Sequence, residues 1–172
     1  MTEAETRTIN AIVNDYRTRA NDANVYIDIM EGRLWWLNTG IGAIKLLTLL
    51  APVLLTFAVD PQLLSNTHSA EWQTALKGLT DILGGLVVLG YARNWDDKKA
   101  ALEVFVELLR VQQLGFQRQA AMEHDNVNNI GYTHRLETER HDLLLGRIAK
   151  YVTLQDFKKR AKKLGLSPQP TA

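Results

Sequence analysis

The sequence predicts an all-α membrane protein, a two-span transmembrane helical hairpin with cytoplasmic N- and C-terminal helices, and three observations predict it. Residues 37–59 read LNTGIGAIKLLTLLAPVLLTFAV, a stretch of 23 whose only charge is Lys45, and at the α-helical rise it would match the roughly 30 Å hydrocarbon core of a bilayer. A second apolar segment, WQTALKGLTDILGGLVVLGYA over residues 72–92, follows a short connection and is interrupted by Lys77 and Asp81. Outside the hairpin, charge is dense and apolar residues return every three or four positions, the period of surface helices. The 172 residues with 46% apolar content suit one domain, and the average composition separates no class from another.

The elements follow in order. Residues 6–34 form an N-terminal amphipathic helix capped by Thr6 or Thr8, with Ile9, Ile12, Val13, Tyr16, Ala20, Ala23, Ile27 and Met30 or Leu34 on one stripe. Residues 35–92 form the hairpin, with spans at about 36–59 and 72–92; Asp60-Pro61 ends the first and Ser69, Ala70 and Glu71 start the second. Pro52 predicts a kink, and Gly84-Gly85 thins the opposing helix. Residues 96–164 form a cytoplasmic helical region: Asp96 or Asp97 caps a helix with Ala101, Leu102, Phe105, Val106, Leu108, Leu109, Val111 and Leu114 on a broad apolar face. Residues 124–131 break that run, a further helix aligns Leu136, Leu143, Leu144, Ile148 and Val152, and residues 165–172 form a flexible tail.

Charge sets the expected orientation. Four basic residues precede the first span and fourteen follow the second, while residues 60–71 contain no Lys or Arg. The loop is therefore expected to be translocated, with both termini cytoplasmic. Trp35 and Trp36 at the entry of span one, Trp72 at the start of span two and Tyr91 and Trp95 at its exit are expected to act as interface anchors. No secretory signal pattern opens the chain, so the first span is read as a retained anchor. No cysteine is present, which excludes disulfides, thiolate nucleophiles and cysteine metal sites.

Charges inside the spans are the sharpest functional signal, because an ionisable group near mid-bilayer normally faces protein or a wet cavity and pairs. Asp81 neutralises Lys77 or Lys45 and locks the hairpin in one reading; in the other, Lys45, Thr48, Lys77, Thr80 and Asp81 line an oligomeric pore. A coupling site for another membrane protein is the third. His134, Glu137 and His141 share a helix face, but with Arg135 and Arg140 alongside the reading is a solvated surface and no metal. Lys158, Lys159, Arg160, Lys162 and Lys163 are assigned to anionic-lipid contact, and no nucleic acid is expected. Phosphate loops and nucleophile elbows are absent, so neither an enzyme nor a cofactor is expected.

The order of parts, an amphipathic helix with YRTRANDANVY, a WW junction, span one, a short loop, span two ending YARNW and a long helix DDKKAALEVFVELLR, resembles the SLATT superfamily of prokaryotic two-span proteins. The resemblance covers residues 9–118 and rests on Arg17, Arg19, Tyr26, Trp95, Ala101 and Leu108 with the small and polar residues of the spans. It implies a homo-oligomeric pore-forming or membrane-permeabilising effector of an anti-phage or conflict system, placed in the inner membrane and answering a separate nucleotide-signal sensor protein. The alternative is a non-conducting membrane-anchored scaffold or adaptor that presents its cytoplasmic helices to a partner protein.

Overall fold

A computed structural model describes residues 2–59, 74–75, 77–79, 81–82, 84–85, 88 and 94–166, with the side chains of residues 51–59 outside that description. Every regular element among the described residues is helical: α1 (Glu3–Val59), α2 (Trp95–Ala121), α3 (Val127–Ile148) and α4 (Leu154–Lys163). The chain divides into two compact units, Met1–Arg33 with Leu102–Ala172, and Leu34–Ala101.

Local chemistry sets the helix ends. Between α2 and α3 the chain leaves helical geometry at residues 122–126, a shorter break than residues 124–131, because Asn126 caps α3: its Oδ1 accepts from the amides of Asn128 at 2.9 Å and Asn129 at 3.3 Å. Thr153 and Asp156 form a reciprocal capping box at the start of α4. That helix closes with Gly165 at φ 70°, the Leu166 amide donating to the Ala161 carbonyl at 3.0 Å and the Gly165 amide to Lys162 at 3.2 Å. Both bonds are those of a Schellman motif, which needs a residue that tolerates positive φ.

In the first unit α1 buries Ile9, Tyr16, Ala20, Ala23, Val25, Ile27 and Met30, close to the stripe that periodicity marks. Ile9, Tyr16 and Ala20 pack with Phe116 of α2 and Ile130 of α3; further along, Val25 packs with Phe157 and Ala161 of α4, and Tyr26, Ile29 and Leu166 close over them. The broad face expected on α2 is narrower: Leu102, Val106, Leu109 and Phe116 are buried, while Leu108, Val111 and Leu114 are exposed. On α3, Leu144 and Ile148 are buried whereas Leu136 and Leu143 face outward.

The second unit corrects the expected fold class. Among the described residues no helix is long and apolar enough to cross a membrane, so the transmembrane hairpin is withdrawn, and with it the membrane and ion-transport assignments and the inner-membrane placement with cytoplasmic termini. Length alone is not the obstacle, since α1 has 57 residues. It is amphipathic and charged up to Arg33, and the apolar stretch beyond carries the exposed Lys45. Most of residues 72–92, read as the second span, lie outside the described residues, as do Asp60-Pro61 and all but two residues of the expected tail.

Candidate functional site

Two arrangements stand out, one inside the first unit and one on the surface of the second. The first is a polar seam between α1 and α3. Residues 130, 134, 138, 141, 144 and 148 fall at three- and four-residue spacing, so His134, Thr138 and His141 occupy core-facing positions of α3 between Ile130 and Ile148. Asp15 Oδ2 accepts from Arg19 Nε at 2.8 Å and from His134 Nε2 at 2.7 Å, and Arg19 Nη1 reaches Asp142 Oδ1 at 3.3 Å. Burial raises the Asp15 carboxyl, but its bonds to His134 and Arg19 outweigh that effect and hold its pKa below the usual value.

His141 is 1% exposed, packs edge-on against Phe116 and places Nδ1 3.0 Å from Gln112 Oε1. An oxygen acceptor there requires the proton on Nδ1. Desolvation, with Arg19 adding to it, pushes the imidazole pKa down to about 4, so the ring is neutral near pH 7. Asp22, partly buried on α1, moves the opposite way, up to about 6, through desolvation against the weaker pull of Arg19. Tyr16 lies between Phe116 and His134 with its hydroxyl buried and unpartnered among the described residues, and desolvation pushes its pKa up to about 12. Thr138 Oγ1 is likewise buried without a partner. Expected on a solvated surface, both histidines are instead built into the bundle, and among the described residues no cluster of ligating side chains could hold a metal.

Ion pairs carry this packing to the other helices. Arg110 of α2 meets Glu31 at 2.5 Å, and Arg160 of α4 grips Asp28 through both Nε and Nη2, the latter at 2.8 Å. Arg33 donates to Asp156 at 2.8 Å and to the Tyr151 carbonyl. A cavity of about 430 Å³ opens between Arg17, Ala20 and Asn21 of α1 and Gln117, Ala120 and Ala121 of α2. Its lining holds one ionisable side chain, Arg17, and hence no acid and base facing each other.

The second arrangement lies on α1 within the second unit. Leu34, Leu37, Gly40, Ile41, Ile44 and Leu47 are partly covered, and a Cβ on Gly40 would stand 3.2 Å from the ring of Trp95, so glycine permits that close approach. The opposite stripe, Trp35, Thr39, Gly42, Leu46 and Leu49, is exposed. Its spacing alternates four and three, the a and d positions of a heptad. Trp35 is 60% exposed, Leu46 60% and Leu49 75%, and Trp36 stands edge-on to Trp35.

The structure distributes the residues singled out from sequence as follows. Lys45 and Thr48 are exposed on α1, with the Thr48 hydroxyl donating to the Ile44 carbonyl at 2.8 Å. Lys77 and Asp81 are exposed, no ion pair joins Lys45, Lys77 and Asp81 among the described residues, and Thr80, Trp72 and Tyr91 lie outside them. Lys158, Lys159, Lys162 and Lys163 face solvent, while Arg160 is held by Asp28. Sequence reasoning missed the polar seam; the signal was the i, i+4, i+7 placement of His134, Thr138 and His141 within an apolar stripe. No protein-family model, no curated protein and no solved structure matches the chain.

Proposed function

We propose that the chain is a non-enzymatic helical adaptor that assembles with copies of itself through the exposed stripe of α1. The observation that carries this reading is the heptad-spaced row Trp35, Thr39, Gly42, Leu46 and Leu49, left open on a helix whose opposite stripe is already covered. Two tryptophans and two leucines at this exposure present several hundred Å² of apolar surface, at the upper end of what single chains leave uncovered. A second copy supplies the matching row, and the small residues Thr39 and Gly42 at its centre let two backbones approach. The packed first unit, pinned by ion pairs, is then the module that assembly brings together.

A pore or permeabilising effector needs walls that cross a bilayer, and no helix among the described residues is long and apolar enough to supply one. The seam's ionisable groups are mostly bonded to each other, which fits a structural role better than a reacting centre. Sedimentation velocity tests the reading: the full chain should run as a dimer or larger, and the Leu46→Gln/Leu49→Gln variant should fall to one copy with unchanged helix content. A variant that keeps the mass of the parent chain would overturn it.

A further inference from the structure

α4 has a fixed orientation on α1. Phe157 and Ala161 turn into the bundle, a capping box sets one end and a Schellman motif the other. Its two other charged groups are engaged: Asp156 is bonded by Thr153 and Arg33, and Arg160 by Asp28. What remains on the outer surface is Lys158, Lys159, Lys162 and Lys163, all exposed and in no ion pair among the described residues. Positions i, i+1, i+4 and i+5 bring four ammonium groups onto one side of the helix within a rise of about 8 Å. The helix dipole accounts for cations in the last turn, hence for Lys162 and Lys163. It does not account for Lys158 and Lys159, which lie earlier.

We propose that this four-lysine face docks an acidic, Asp/Glu-rich segment of a partner protein. Charge complementarity is the ground: the face has no carboxylate of its own left unengaged, and opposite charge steers association. The chemistry fits carboxylates better than nucleic acid. The one guanidinium fork, Arg160, is taken by Asp28, the one aromatic ring, Phe157, is buried, and the chain as a whole carries a net charge of only +1. A lipid surface fits less well, because the apolar side of α4 is packed into the bundle and has nothing to insert. The proposal rests on the adaptor reading and names the chemistry of what the adaptor carries.

Fluorescence anisotropy of a dye-labelled Glu-rich peptide titrated with the full chain tests it. Binding should be saturable and weaken with salt. The Lys158→Gln/Lys159→Gln/Lys162→Gln/Lys163→Gln variant should lose at least about tenfold in affinity, while Arg17→Gln/Arg118→Gln, which removes two exposed charges elsewhere in the first unit, should stay within about twofold. Equal losses in both variants, no saturable binding, or tighter binding to duplex DNA or phosphatidylserine vesicles than to the peptide would overturn the proposal. The mass and the peptide titration of Leu46→Gln/Leu49→Gln together separate the two readings: parent mass with peptide binding retained sinks self-assembly alone, and a fall to one copy with no saturable peptide binding in either the parent chain or the variant sinks docking alone.

Discussion

Replacing Asp22 with Asn should expose a pH dependence that the parent chain conceals. His141 has its pKa pushed from 6.5 down to about 4, so between those values the unfolded chain binds the proton and the folded chain does not. Stability therefore falls as pH drops through that window, by about 3 kcal/mol over about 2.5 pH units. Asp22 moves from 3.8 up to about 6, so between these values the folded chain holds the proton and stability rises as pH drops. Its contribution is at most about 3 kcal/mol, reduced by partial exposure. The two nearly cancel from pH 6 to 4, and the lowered carboxyls Asp15, Asp28 and Asp156 lose their contributions only below that range. Urea unfolding followed by far-UV circular dichroism should give the parent chain a profile flat to about 1 kcal/mol between pH 6 and 4. Asp22→Asn should be about 2 kcal/mol more stable than the parent at pH 7.5, and should lose about 3 kcal/mol on going to pH 4. An Asp22→Asn variant that is destabilised at pH 7.5, or flat between pH 6.5 and 4, would refute the assignment of opposing buried titrations.

Tyr16→Phe removes a buried hydroxyl without a partner among the described residues and should raise unfolding stability by up to about 1 kcal/mol; a loss of that size would mean the hydroxyl is bonded. Asn126→Ala deletes the acceptor for two amides of α3 and should lower the urea midpoint by the equivalent of about 1 kcal/mol, whereas an unchanged midpoint would leave the cap without energetic weight. Phe157→Ala opens the contact between α4 and α1 and should destabilise α4 by about 3 kcal/mol, read as roughly hundredfold faster amide exchange in Leu154–Lys163. Unchanged exchange there would mean that the ion pairs alone hold α4.

Much of the helical layout is legible in the sequence because burial repeats with the helix period. Ile9, Tyr16, Ala20, Ala23, Ile27 and Met30 announce the inner face of α1, and Leu102, Val106 and Leu109 that of α2. The same rule misleads where polar residues take inner positions. His134 and His141 look like surface beside Arg135 and Arg140, yet the stripe carries them inward, where Asp15 and Gln112 satisfy them across 119 and 29 residues of sequence. Those partners cannot be read from local spacing. Arg160 illustrates the converse: inside a basic run it reads as one more surface cation, but its pairing with Asp28 depends on how α4 is rotated by Phe157. Residues 37–59 read as a span because a long apolar run alone does not distinguish a helix bathed in lipid from one that packs against protein.

A single nitroxide placed at position 49 through Leu49→Cys tests self-assembly most directly. The chain contains no cysteine, so one label per copy gives a dipolar signal only between copies. Helices packed along the exposed stripe place their axes about 10 Å apart, so double electron–electron resonance should show a defined short-range distance between copies at this position. The absence of any defined distance from residue 49 at a concentration where the chain sediments as an assembly would contradict an interface on this face of α1.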